Sequence, residues 1–270
     1  MIDFTTIRAV IMDMDGVLWR GTQVLPGAPA LFNFLRAQGL PFALATNNSS
    51  RAPSDYVEKL AVLAIGKVEP EQIVTSGTAA VRYLRSQFAP GTPVHVLGGD
   101  GLRALVESAG FTLVGMEGEA AVVVAGIDFE LTYAKLRRAA LLIRAGAEFI
   151  GTNADATFPM ADGLAPGAGS LLAALQTATS RQPRIMGKPA APMFEAALEV
   201  VAVPPANTLM IGDRLDTDIA GASALGLRTA LVLTGVATAT DLEGNLLLPD
   251  AVYPDLPSLL RDWKAACGDS

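Results

Sequence analysis

The chain has 270 residues, 51% apolar and 17% charged, a composition that excludes disorder and allows one large domain or two ordinary ones. The net charge of −7, with no basic run, argues against a nucleic-acid partner, and the longest apolar run, about eight residues from Ala120 to Ile127, is far too short to cross a bilayer. One cysteine, Cys267, and one histidine, His95, exclude intrachain disulfides, multi-cysteine zinc or iron-sulfur sites and His-rich metal centres, so any catalysis must run largely on carboxylates.

Apolar runs of strand length recur between helical patterns, which predicts an α/β fold with a mostly buried parallel sheet. A strand over 7–12 is followed by a helix over 28–38 that closes on Gly39, a strand over 41–45, and a helix with Pro53 in its first turn, where a missing N–H costs nothing. A helix over 78–88 leads into Ala89-Pro90-Gly91-Thr92-Pro93, whose prolines and glycine fit neither a helix nor a central strand and read as a linker. A second βα series follows: strands over 94–97, 111–114, 121–125 and 148–150, with helices ending near Ser108 and covering 131–145 and 170–179. Ser180-Arg181-Gln182-Pro183 reads as a second linker, after which strands over 208–211 and 229–232 alternate with helices again. The middle third is therefore an insert. The opening Met1-Ile2-Asp3-Phe4 carries an acid where a secretory signal carries lysines, so a cytoplasmic protein without membrane attachment is expected.

In an open α/β sheet, ligands bind outside the carboxyl ends of the strands, so the informative residues are those just after each strand. They are Asp13-Met14-Asp15-Gly16, Thr46-Asn47-Asn48, Gly187-Lys188-Pro189 before a late helix, and Gly212-Asp213-Arg214-Leu215-Asp216-Thr217-Asp218. Each alone has an ordinary reading, since Asp and Asn build turns and lysines are mostly surface residues. A calcium loop starting at Asp13 fails, because Gly16 falls at its fourth position and Val24 at its twelfth.

Together, and in this order, the four segments resemble the haloacid dehalogenase superfamily of phosphotransferases. Asp13-x-Asp15-Gly16-Val17-Leu18, Thr46-Asn47-Asn48-Ser49-Ser50-Arg51 and Gly212-Asp213-Arg214-Leu215-x-Thr217-Asp218-Ile219 are similar to the subfamily of 4-nitrophenyl phosphatases, nucleotide monophosphatases and phosphoglycolate phosphatases. Gly151-Thr152-Asn153-Ala154-Asp155 and Pro166-Gly167-x-Gly169-Ser170-Leu171 agree with that subfamily's middle segment. Spacing places the insert: 33 positions separate Asp13 from Thr46, enough for one helix and one strand, whereas 142 separate Thr46 from Lys188. The expectation is a doubly wound, Rossmann-like parallel-sheet core, residues 1–88 and 183–270, with a smaller α/β cap domain, residues 89–182.

A carboxylate nucleophile divides phosphoester hydrolysis into two easier displacements, a role expected of Asp13, with Asp15 as the acid that protonates the leaving oxygen and then the base that deprotonates water. Asp13, Asp213 and Asp218 around a phosphate need cations, supplied by Mg²⁺ and Lys188. The resemblance implies Asp13, the Asp15 carbonyl and Asp213 as metal ligands, with Asp218 just outside them. Thr46, Asn47, Asn48 and Lys188 are expected to hold the phosphoryl oxygens, and Asn153 and Asp155 in the cap to face the rest of the substrate. The implied partner is a small phosphorylated metabolite, and the resemblance implies a homodimer assembled through caps.

The main alternative is a nicotinamide-dependent enzyme. Val94 to Leu97 followed by Gly98-Gly99-Asp100-Gly101-Leu102-Arg103-Ala104 formally fits the dinucleotide fingerprint at Gly99-x-Gly101, with Glu117 or Glu119 as the acid beyond it. A non-catalytic phosphate-binding protein is a third reading, but it has no use for both Asp13 and Asp15. A serine hydrolase would need His95 as its base, a residue expected on the polar face of its strand. Arg214 and Asp216 are expected to form a solvated pair.

Overall fold

The computed structural model describes residues 2–160 and 162–268; Met1, where the reading of the N-terminus begins, lies outside them. The chain divides into two compact units: one takes the chain up to Thr46, Pro53–Val74 and the chain from Met193 onward, the other Asn47–Ala52 and Thr75–Pro192.

The first unit is built on a sheet running, edge to edge, Ala251–Tyr253, Arg228–Val232, Thr208–Gly212, Ala9–Met12, Phe42–Thr46 and Ile73–Thr75. The ladders from Ala9–Met12 to both neighbours are parallel, as are those from Thr208–Gly212 out to Ala251–Tyr253. The four strands from Ala9 to Met12, Phe42 to Thr46, Thr208 to Gly212 and Thr229 to Val232 are buried throughout, so both faces are covered and the continuous Val/Ile/Leu runs have their physical reason. Leu44, Ile211 and Val232 meet helix residues Leu31, Phe32, Leu60 and Leu260 in one core, where truncating a fully buried leucine to alanine costs about 2–5 kcal/mol. Phe4 stacks on Trp263 of the last helix, Leu256–Cys267, at 4.9 Å between rings.

From Ala9–Met12 the chain winds outward to Phe42–Thr46 and Ile73–Thr75, then returns on the other side at Thr208–Gly212. The direction of winding reverses between two adjacent strands, and a crevice opens outside their carboxyl ends.

The second unit carries a parallel sheet in the order Arg184–Ile185, Glu148–Gly151, Val122–Ala125, Pro93–Leu97, Thr112–Leu113. Its core joins Val123, Ala125 and Phe149 to Leu142, Ile143, Leu172 and Leu175 of the helices Tyr133–Arg144 and Ala168–Thr179. Helix Ser76–Gln87 belongs here because Gly77 faces Leu105 and Leu102 of helix Asp100–Ser108. Among the described residues no helix is long and apolar enough to cross a membrane.

Several elements differ from the expectation for local reasons. Pro93 opens a strand instead of ending the linker; the first position of a strand is one that proline tolerates. Ile73–Thr75 and Ala251–Tyr253 are too short to show a pattern. The hairpin Thr157–Met160 with Gly163–Pro166 is hidden by Pro159 and Pro166, which read as breakers. Beyond the second linker, Arg184–Ile185 adds an edge strand to the second sheet, so the chain stays with that unit through Pro192.

Candidate active site

In the first unit the site begins where two neighbouring strands end. Asp13 follows Met12 and Asp213 follows Gly212, so the register pairing Met12 with Ile211 brings the two acids to the same sheet edge. The Asp13 N–H continues the ladder to the Ile211 carbonyl at 2.9 Å. Asp218 arrives differently. After Arg214 the chain makes one π-helical turn, Leu215–Ile219, in which the Ile219 N–H bonds the Arg214 carbonyl at 3.2 Å. That wide turn returns Asp218 to the loop, where its Oδ2 accepts the N–H groups of Asp213 and Arg214, both at 3.2 Å. Carboxylate oxygens of Asp13, Asp213 and Asp218 lie within 4.8 Å of one another, all on buried residues.

Two glycines make room for this charge. Gly16, at φ +87°, and Gly235 both lie where an added Cβ would collide with the Asp213 carboxylate. The turn carrying Gly235 follows strand Arg228–Val232: the Val236 N–H donates to Asp213 Oδ2 at 2.7 Å and the Thr234 hydroxyl donates to the Gly16 carbonyl at 2.7 Å. Sequence reasoning missed this turn because it carries no charge, although it too stands just after a strand. Two unit charges 4 Å apart repel by about 4 kcal/mol at an effective dielectric of 20. A hard divalent cation removes that repulsion, and an all-carboxylate donor set fits Mg²⁺, Mn²⁺ or Ca²⁺.

Asp15 is exposed, and the indole N–H of buried Trp19 donates to its Oδ1 at 2.7 Å. Asp216 points elsewhere: the Arg214 guanidinium bonds it twice, at 3.1 and 2.8 Å, and holds its carboxyl below the usual range. Both side chains are solvent-accessible, so the pair contributes little.

Thr46 is the buried last residue of strand Phe42–Thr46. In the second unit, Asn47 next to it anchors a polar cluster. Asn47 Oδ1 accepts the Lys188 N–H at 2.7 Å, and its Nδ2 donates to the Lys188 carbonyl at 3.0 Å and toward both Asp155 oxygens at 3.3 and 3.2 Å. Asn153 Nδ2 donates to the Asn47 carbonyl at 2.7 Å, while its Oδ1 accepts the Asp155 N–H at 3.1 Å. Lys188 is only 4% exposed, so the ordinary reading of a surface lysine does not hold. Asn48 is occupied in a turn, its Oδ1 accepting the Ser50 N–H at 2.9 Å and hydroxyl at 2.7 Å.

The glycine turn of the dinucleotide alternative has a different use. A Cβ at Gly101 would stand 3.1 Å from the Ser50 carbonyl, so the bare Cα admits the chain's own backbone at the start of helix Asp100–Ser108; Glu117 and Glu119 are exposed. His95, expected on a polar face, is instead buried, with Nδ1 2.9 Å from the Val114 carbonyl. Burial pushes its pKa down, opposed by that hydrogen bond and reinforced by the cations of Arg138 and Arg103. Cys267 is exposed near the end of the last helix.

A family model for haloacid dehalogenase-like hydrolases matches residues 10–112, and a second, HAD-hydrolase-like, matches residues 185–259. The chain is 38% identical to the glycerol-3-phosphate phosphatase of Gallus gallus over 94% of its length and 91% of the relative's. It is similar to the 4-nitrophenylphosphatase of Thermotoga maritima, with a TM-score of 0.90, 33% identity and coverage of 97% and 99% of the two chains. It also matches the glycerol phosphate phosphatase of Mycobacterium tuberculosis, solved in complex with magnesium and with calcium, at a TM-score of 0.87, 36% identity and 95% of this chain; the match covers 77% of the magnesium-bound chain and 76% of the calcium-bound one. The chain belongs to the haloacid dehalogenase-like hydrolases, among the phosphatases of that family.

Proposed function

We propose that this chain is a Mg²⁺-dependent phosphatase that hydrolyses small phosphate monoesters through a phosphoaspartate on Asp13. The observation that carries the reading is the convergence of three buried carboxylates, Asp13, Asp213 and Asp218, at the switch point of a doubly wound sheet. Asp13, the Asp15 carbonyl and Asp213 would hold the ion, with Asp218 beside them; when bound, Mg²⁺ supplies charge neutralisation and polarises a phosphoryl oxygen.

In the first displacement a carboxylate oxygen of Asp13 bonds to phosphorus, the bond to the leaving oxygen breaks, and the Asp15 carboxylic acid gives that oxygen its proton. In the second, the Asp15 carboxylate takes a proton from water as the water oxygen bonds to phosphorus and the Asp13 oxygen leaves. Asp13 is regenerated and orthophosphate departs. The Thr46 hydroxyl, the Asn47 N–H and Lys188 are assigned to the three phosphoryl oxygens, where charge spreads in the transition state, with Asn48 closing the same turn. Core and cap, residues 1–88 with 183–270 and 89–182, are our functional division of the chain.

The substrate class is a small phosphorylated metabolite, in line with the relatives named as glycerol phosphate phosphatases. The test is a panel of glycerol phosphates, phosphoglycolate, nucleoside monophosphates, pyridoxal phosphate and sugar phosphates with metal-stripped protein, with and without Mg²⁺. Mg²⁺-dependent orthophosphate release is expected; release from no monoester overturns the reading. We also propose self-association through the second unit, supported by the exposed apolar side chains Phe129, Tyr133, Met160 and Leu164, with the Phe129 ring 5.6 Å from that of Phe158. Sedimentation of Leu164→Glu beside the wild type tests it; equal masses would end it.

A further inference from the structure

Resting on the phosphatase reading, we infer that the Asn47 side chain is a positioning residue that clamps the backbone of Lys188, and that Asp155 and Asn153 hold the clamp in place. A lysine carries its charge on a flexible four-carbon stem, so its ammonium is placed only as well as its backbone and packing allow. Lys188 is buried, and both of its peptide groups are held by one side chain: its N–H donates to Asn47 Oδ1 at 2.7 Å and its carbonyl accepts from Asn47 Nδ2 at 3.0 Å. A side-chain amide offers a donor and an acceptor side by side in this way at any ordinary pH. The second amide hydrogen points at Asp155, whose carboxylate accepts only, so the amide is fixed in one orientation: a flip would set its NH₂ against the Lys188 N–H and its oxygen against the carboxylate.

The surroundings serve the same end. A Cβ at Gly187 would lie 2.6 Å from Asn47 Oδ1, so the glycine before Lys188 is what lets the amide reach its backbone. The Asn47 carbonyl accepts from Asn153 Nδ2 at 2.7 Å and from the Ser76 hydroxyl at 2.5 Å, and the Asp155 N–H returns to Asn153 Oδ1 at 3.1 Å. Asn153 and Asp155 thereby act through Asn47 on the phosphate-binding lysine, a role different from selecting the organic part of the substrate.

The test is a double-mutant cycle on Asn47→Ala and Lys188→Met, read as kcat and KM for 4-nitrophenyl phosphate and as orthophosphate affinity by calorimetry in Mg²⁺. Asn47→Ala keeps the backbone N–H, so what it removes is the clamp. It is expected to lower kcat/KM about ten- to hundredfold in the Lys188 background and to change little in the Lys188→Met background. The same factor in both backgrounds, as for a general structural role or a direct substrate contact, overturns the clamp. Asp155→Asn, which keeps an acceptor, is expected to retain most activity while Asp155→Ala loses it without changing the ranking of substrates; a changed ranking makes Asp155 a specificity residue instead. Circular dichroism of each variant separates loss of the clamp from loss of fold. A wild type that neither turns over any monoester nor binds orthophosphate overturns the phosphatase reading itself, and the clamp with it.

Discussion

The two units solve opposite electrostatic problems. In the first, Asp13, Asp213 and Asp218 are buried within 4.8 Å of one another, and what brings them there is backbone: two adjacent strand ends, one wide turn, and glycines at 16 and 235 that yield space to a carboxylate. In the second, the neutral side-chain amide of Asn47 holds the backbone of Lys188, and that of Asn153 donates to the Asn47 backbone carbonyl. The first arrangement gathers like charges that a bound cation would offset. The second is nearly satisfied by itself and is built to hold a cation of the protein's own. The comparison teaches that buried polar groups are gathered in two ways, one that brings like charges together and one that matches donors to acceptors, and each should respond to different changes.

The largest expected effect lies in the first part. Asp13→Asn should lower turnover of 4-nitrophenyl phosphate by at least about 10³-fold, because an amide is a poor nucleophile and a poorer metal ligand. The metal-free melting temperature should rise, since one of three mutually repelling acids is gone. Turnover near that of the wild type would remove Asp13 from the mechanism. In the second part, Lys188→Met should cost about 10²–10³-fold in kcat, by analogy with loss of one oxyanion donor, while calorimetric Mg²⁺ affinity stays unchanged. A matching fall in Mg²⁺ affinity would erase the distinction between the two regions.

Ion exchange sharpens the first region further. Mg²⁺ holds six oxygens rigidly at about 2.0–2.1 Å and takes one oxygen of a carboxylate, whereas Ca²⁺ accepts six to eight at longer range and readily takes both. Ca²⁺ should therefore compete with Mg²⁺ and suppress turnover, while Mn²⁺ supports it. Full activity of metal-stripped protein in Ca²⁺ would contradict the assignment of Asp13 as both nucleophile and ligand.

A smaller effect is expected at Trp19, whose indole N–H holds Asp15 Oδ1 at 2.7 Å. In Trp19→Phe, kcat/KM for an alkyl phosphate should fall about tenfold, the worth of one hydrogen bond to a charged group, and that for 4-nitrophenyl phosphate, whose leaving group needs little acid help, should fall less. Equal losses on both substrates would reduce Trp19 to a packing residue. The smallest effect belongs to the second unit's core. Because burial depresses the pKa of His95, the folded state binds fewer protons than the unfolded one, so stability is full above the unfolded value of 6.5 and declines as pH drops below it toward the folded value. Thermal melts of His95→Asn, which keeps a donor near Nδ1, should lose that part of the acid slope, although the variant is less stable throughout. An identical slope would assign the pH dependence to other groups.

Much of this was legible in the sequence because it depends on local patterns. Parallel strands buried on both faces announce themselves as apolar runs, and the residue after such a run stands at the sheet's carboxyl edge, which is how Asp13, Thr46 and Asp213 stood out as strand-end residues, their expected roles coming from the family resemblance. The Gly99-x-Gly101 turn was legible too, but its purpose was not: a glycine states that something comes close without saying whether it is a pyrophosphate or, as here, the carbonyl of Ser50.

What the sequence determined by itself, then, is the α/β class and the chemical character of four strand-end segments, since periodicity, breakers and charge are properties of neighbours along the chain. Tertiary structure alone decided that His95 is buried, that Lys188 is buried with Asn47 on both sides of its peptide, that Asp155 addresses an amide 108 residues away, and that Thr234-Gly235-Val236 encloses Asp213. Hydrogen bonds between distant segments are chosen only when the sheet and its loops bring donor and acceptor within about 3 Å, and no local pattern encodes that meeting.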